Sequence, residues 1–161
     1  MASGAMVGAG AAWAFQLPPA VAAGFVAIAT AATLLPDFDH PDARGPRSFG
    51  WPGQLVAWIL GSMFGHRGIT HSIVGVSILL VGLAFVPGLP AWVAAAIVLG
   101  CAVHIAGDAC TVSGVPLFWP AERRFGPRLF ETGSFVETGV LVPLFCAGTI
   151  LFGALAVRGA L

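Results

Sequence analysis

The sequence predicts an all-α, polytopic membrane protein with about four to five transmembrane segments plus a short interfacial helix, and three observations carry that prediction. Hydrophobic residues make up 58% of the 161-residue chain and charged residues only 9%, against about 25% in ordinary soluble proteins. Three long stretches, Met1 to Pro36, Ser72 to Val103 and Thr138 to Val157, hold no charged side chain. Nearly all the polar chemistry falls between them. A surface of this composition suits a bilayer better than water.

Turn signals divide those stretches. Gln16-Leu17-Pro18-Pro19 and Pro87-Gly88-Leu89-Pro90 would each stop a helix. The resulting segments are Ala2 to Phe15, Pro19 to Leu35, Thr70 to Val86, Ala91 to Cys110 and Phe135 to Val157. The first is short for a span, which needs about 20 residues. A cleaved signal peptide is its rival reading, but Met1 to Phe15 has no basic leading region and the apolar character continues past the proline turn. Gln54 to Phe64 is apolar but brief, which suits an interfacial or re-entrant helix. The whole chain, 1–161, reads as one integral membrane domain.

Counting through the turns gives a topology. Both proline turns fall on one side of the membrane, and the motif loops 36–69 and 111–134 fall together on the other. Those loops hold Arg44, Arg47, Arg67, Arg123, Arg124 and Arg128, six of the seven arginines, with Arg158 left opposite. The positive-inside rule makes the loop-rich face cytoplasmic, so a multi-pass protein with its active face inward is expected.

That same face collects the unusual residues. "LLPDFDHPD" closes the second segment, "GHRGITHS" opens the third, "HIAGD" closes the fourth and "SFVE" opens the fifth. The candidate metal ligands are Asp37, Asp39, His66, His71, His104 and Asp108. His104 and Asp108 lie four apart and share a helix face, with His104 about 6 Å deeper, where an ionisable group is costly and usually functional. Two carboxylates after Pro36 oppose the helix macrodipole, which calls for a compensating cation. His66 and His71 flank Gly68, a turn residue, and Thr70, a candidate N-cap. His40 and Asp42 divide evenly between support of the site and solvated loop.

Glu137 has two readings, as a ligand or base, or as the glutamate of a Ser134-x-x-Glu137 capping box. Acidic groups this close repel in a low-dielectric setting unless a cation is present. A mixed His and carboxylate set suits zinc or manganese better than calcium, with one or two ions. Cys101, Cys110 and Cys146 fall in apolar segments as small hydrophobes, although Cys101 shares the face of His104.

These motifs carry a resemblance. "LLPDFDHPD", "GHRGITHS", "HIAGDACTVSGVPLFWP" and "TGSFVE", in order from Leu34 to Glu137, resemble those of the YdjM-like family of membrane-bound, metal-dependent hydrolases. The resemblance implies a multi-span inner-membrane hydrolase with Asp37, Asp39, His66, His71, His104, Asp108 and Glu137 at its metal site. Members of that family usually place a histidine just before the first helix, and Met1 to Gly10 contains none. The His104-x-x-x-Asp108 pair is also similar to a ligand pair in zinc-dependent phospholipases C.

The expected activity is metal-assisted hydrolysis of an ester or phosphoester, with a water made acidic by the ion and Glu137 or Asp39 as the catalytic base. Arg67, Arg123 and Arg124 are the candidate phosphate-binding residues. Their alternative role is to set topology and meet anionic headgroups. Membrane lipids are the expected partners, a lipid or lipid-linked phosphoester the expected substrate, and no nucleic acid is expected. A non-catalytic metal-binding protein or an ion transporter is the competing class. A transporter would set its ionisable residues near the midplane in broken helices, whereas these gather at one face.

Overall fold

Gln16 takes a left-handed backbone (φ 51°) and two prolines follow it, so the first helix turns back into the second. A computed structural model describes residues 1–65 and 67–159. Helices α1 (Ala2–Ala14) and α2 (Pro19–Ala32) lead into a 3₁₀ turn, Pro36–Asp39. Then come α3 (Arg44–Ser48), α4 (Gly50–Phe64), a second 3₁₀ turn at Ile69–His71, α5 (Ile73–Ala84) and α6 (Ala91–Cys110). A wide π-helical turn, Val136–Leu141, opens the last helix, which continues as α7 (Val142–Gly159). Pro143 comes two residues after the wide turn, and it has no N–H to return to the preceding turn.

Among the described residues, three stretches are long and apolar enough to cross a membrane: Pro19–Asp39, Ala91–Cys110 and Val136–Arg158. The apolar helices α1 and α5, of 13 and 12 residues, are shorter. Helix α4 starts earlier than its sequence signal and exposes Trp51 and Trp58, as an interfacial helix would. Helix α3 was not evident in the sequence, because Gly45 and Pro46 interrupt a five-residue segment.

The bundle is α1, α2, α6 and α7, with α1 packed most extensively on α7 and α2, and α2 on α6. Small residues make the close approaches, as they do wherever lipid tails are as apolar as the side chains they would replace. Phe25, Ala29 and Ala96 form the buried centre. At Gly100 of α6 an added Cβ would stand 2.3 Å from the Ala29 carbonyl oxygen of α2, so only glycine fits. Helix α5 buries no residue and leans on α6 from outside this bundle.

The stretch 111–134 is a folded loop. Val115 and Phe125 exchange backbone hydrogen bonds of 3.1 and 2.9 Å, and Val112 donates to the Phe130 carbonyl at 2.9 Å. Leu129 donates to Cys110 at 2.8 Å and Ile73 to Leu117 at 2.9 Å. These bonds tie the loop to the end of α6 and the start of α5, where the chemistry gathers.

Candidate metal centre

Three chain segments bring their polar residues to one point: the 3₁₀ turn after α2, the 3₁₀ turn before α5, and the last turns of α6. Asp37, His71 and His104 each offer one donor atom, all within 4.8 Å of one another. Asp37 Oδ1 lies 3.5 Å from His71 Nε2 and 3.4 Å from His104 Nε2. Asp108 Oδ2 approaches the same nitrogens at 3.5 and 3.8 Å. His104 Nε2 is buried with no hydrogen bond among the described residues, whereas buried Asp108 Oδ2 has the Arg67 guanidinium at 3.0 Å.

Helix geometry explains half of this cluster. His104 and Asp108 are one turn apart on α6, as their spacing requires. The other half depends on how "GHRGITHS" folds. Ser72, not Thr70, caps α5: its Oγ accepts the Gly75 amide at 3.0 Å. The reason is that the Thr70 hydroxyl is already engaged, donating to Asp39 Oδ2. Helix α5 therefore begins three residues later than Thr70, and His71 sits in the preceding turn, fully buried, rather than on the helix.

Asp39 stands behind His71. Its Oδ2 accepts the Arg67 backbone amide at 2.9 Å and lies 3.6 Å from His71 Nδ1, the nitrogen that faces away from Asp37. The Thr70 hydroxyl is 3.0 Å from the same nitrogen. Asp39 is buried, at 2% exposure. Burial works against a charged His71, but Asp37 and Asp39 outweigh it and raise the imidazole above its ordinary pKa. Thr70 is the residue that sequence reasoning assigned elsewhere. Its adjacency to His71 was the available signal.

Arg67 bridges the cluster to the loop. Its backbone is left-handed (φ 56°), which aims its amide at Asp39. Its guanidinium pairs with Asp108 at 3.0 Å and donates to Ser113 Oγ. Arg124 reaches the same residue from the other side, with its NH1 3.5 Å from the Ser113 carbonyl and 3.4 Å from that of Gly114. Arg67 and Arg124 therefore come together. Arg123 does not join them, because it stacks on Phe125 with its Cζ 5.3 Å from the ring centre.

The remaining candidates lie apart. Glu137 Oε2 accepts the Gly133 amide, and the Glu137 amide donates to Ser134 Oγ at 3.4 Å. This is a helix cap with the glutamate reaching one residue beyond Ser134. Glu137 is not among the donors that gather around Asp37. His40 Nδ1 accepts the Asp42 amide at 3.2 Å in the loop. Buried Cys101 directs its thiol to the Ala32 carbonyl at 3.6 Å. His66 lies outside the described residues.

Long apolar helices with a His and Asp cluster at their ends define a helical membrane protein with a candidate metal centre. The chain belongs to the YdjM inner membrane protein family, whose model matches residues 1–160. It is 37% identical over 143 residues to inner membrane protein YdjM of Escherichia coli (strain K12), covering 81% of this chain and 69% of that protein. The YdjM protein of Shigella flexneri matches with the same figures, 37% over 143 residues. Protein YvsG of Bacillus subtilis (strain 168) is 32% identical over 121 residues, covering 74% of this chain and 72% of that one. No solved structure matches.

Proposed function

We propose that this chain is a multi-pass, metal-dependent hydrolase of the inner membrane, acting on an ester or phosphoester at the cytoplasmic face. The observation that carries the reading is the donor cluster itself. Donors bound about 2.0–2.2 Å from a tetrahedral zinc ion stand about 3.3–3.6 Å apart. The four His–Asp approaches run from 3.4 to 3.8 Å, and the donor atoms of Asp37, His71 and His104 all lie within 4.8 Å of one another. A buried imidazole nitrogen at His104 with no hydrogen bond among the described residues, beside a buried Asp108 carboxylate oxygen that pairs with Arg67 at 3.0 Å, supplies a donor set suited to a divalent transition ion.

Asp37, His71 and His104 would hold one ion, with Asp108 as the fourth donor. When bound, it would supply Lewis acidity and a water of lowered pKa. Asp39 and Thr70 hold the far side of the His71 ring, the way a metal-ligating histidine is usually oriented through its other nitrogen. Arg67 limits how much negative charge Asp108 presents to the site. Arg67 and Arg124 are placed to receive the oxygens of a phosphoryl group. The placement of the cluster at helix ends, not in a broken helix at mid-membrane, favours this reading over an ion transporter.

The test is metal analysis of the purified full-length chain, followed by hydrolysis assays on phosphoesters and carboxylic esters. Wild-type protein is expected to carry one divalent ion and to lose it in His104→Ala while remaining folded and membrane-inserted. Full metal occupancy in His104→Ala refutes the site. Bound metal with no turnover of either ester class refutes the hydrolase.

A further inference from the structure

Two recesses of opposite character flank the donor cluster. An apolar groove of about 470 Å³ runs between α5 and α6, lined by Ile73, Val76, Leu80, Ala102, Ile105 and Leu117 among others. A polar pocket of about 380 Å³ is lined by Arg67, Arg124, Trp119, Pro116 and Glu122 among others. Consecutive residues separate them, since Pro116 faces the pocket and Leu117 the groove. The cluster sits where they meet. Ser72 and Ala109 line the groove and directly adjoin His71 and Asp108, while Asp108 holds the pocket's Arg67 at 3.0 Å.

From this juxtaposition we infer that the site takes a lipid bearing a phosphate, with one acyl chain along the α5–α6 groove and the phosphate between Arg67 and Arg124. The inference rests on the hydrolase reading above and names its substrate class. The groove lies between an apolar helix that buries no residue and a helix long and apolar enough to cross a membrane, so what fills it there is hydrocarbon. The phosphate end follows from charge and unmet bonding. Both guanidinium groups reach Ser113, the contacts of Arg124 there are long, and Arg67 Nε is buried with no hydrogen bond among the described residues. Glu122 on the pocket wall and Asp108 on Arg67 offset part of that positive charge, which leaves a site for one phosphate and not for a polyanion. A water-soluble phosphoester would use the pocket and leave the groove without a role.

The experiment uses the full-length chain in bilayer discs of a phosphate-free galactolipid. The discs are doped with phosphatidic acid carrying a diazirine on its acyl chain, or with diacylglycerol carrying the same chain, and are irradiated on ice while lipid extraction shows the phosphatidic acid still intact. Adducts on segments 73–84 and 91–110 are compared by mass spectrometry with those on 142–159, and metal content is measured in the same discs. Phosphatidic acid is expected to label the groove segments at least about fivefold over 142–159, the ratio given by one arginine–phosphate attraction near a membrane surface. Diacylglycerol should label all three evenly. Arg124→Gln and Ala106→Trp, both at exposed lining positions, should each bring phosphatidic acid down to the diacylglycerol pattern. Inorganic phosphate at millimolar concentration should leave the enrichment in place. Its abolition by phosphate alone would mean that the site selects the free ion and would overturn the lipid assignment. Even labelling by phosphatidic acid, or equal enrichment by diacylglycerol, overturns it as well. Bound metal with even labelling retires the lipid assignment and leaves the hydrolase reading intact. Enrichment without bound metal retires the hydrolase and supports the lipid site.

Discussion

Asp39→Asn separates two roles that the sequence alone leaves merged. As a ligand, Asp39 would be needed for metal to bind at all. Its carboxylate instead lies 3.6 Å from His71 Nδ1, while Asp37 lies 3.5 Å from Nε2 on the opposite side of the ring. Asparagine keeps the shape and one acceptor oxygen for the Arg67 amide and Thr70 hydroxyl, removes the charge, and turns the other oxygen into an NH₂ donor. Alanine is the wrong probe, since both donors would lose their acceptor at about 1–3 kcal/mol each and the loop itself could give way. Loss of an orienting partner behind a metal-ligating histidine costs about 10- to 100-fold in metal affinity, or about 1.4–2.7 kcal/mol. Zinc titration of the metal-stripped protein against a chromophoric chelator reads this directly. The expected result is full stoichiometry at saturating zinc with the midpoint shifted by that factor. Zero stoichiometry, as expected for His104→Ala, would make Asp39 a ligand, and an unshifted midpoint would end its role in orienting His71.

Glu137→Gln should leave metal content unchanged and stability within about 0.5 kcal/mol, because glutamine can still accept the Gly133 amide. A loss of metal, or a fall in turnover of about 10²-fold or more at full occupancy, would restore it to the site. Gly75→Ala should destabilise the chain by about 1–3 kcal/mol and weaken metal binding, since the new Cβ would stand 2.0 Å from the Ile69 carbonyl in the turn that carries His71. Wild-type thermal stability and metal affinity in that variant would refute the proposed coupling between the α5 start and the site. Cysteines introduced at Arg47 and Arg124 should label only from the cytoplasm and one at Gly88 only from outside, and all three labelling from one side would refute the topology.

The parts of this molecule that repeat along the chain were legible, and the parts that depend on one side chain choosing between partners were not. Absence of charge over tens of residues and paired prolines placed five of the apolar segments, since both act through general properties of helix and bilayer. The His104 and Asp108 pair followed from helical spacing alone. By contrast, whether Thr70 or Ser72 capped α5 could not be read locally, because both hydroxyls precede the apolar run. The deciding partner, Asp39, is 31 residues away from Thr70. Arg67 and Ser113, 46 residues apart, meet for a similarly distant reason.

That long-range choice also sorts the candidates. The sequence offers Asp37 and Asp39, on either side of Phe38, as ligands alike, with Asp39 also a candidate base. The 3₁₀ turn at Pro36–Asp39 sends one carboxylate to each nitrogen of the same imidazole, so the two aspartates act on opposite sides of His71. A histidine held at Nδ1 by Asp39 and Thr70 would carry its proton on that nitrogen and leave Nε2 free for an ion. Thr70 and the left-handed Arg67 are then parts of one clamp: Arg67 gives its backbone amide to Asp39 and its guanidinium to Asp108, touching both the support of His71 and the fourth donor. A phosphate drawn to that guanidinium would compete with Asp108 for it. Under the proposed function, phosphate binding and the charge on the donor cluster would therefore be coupled through a single side chain.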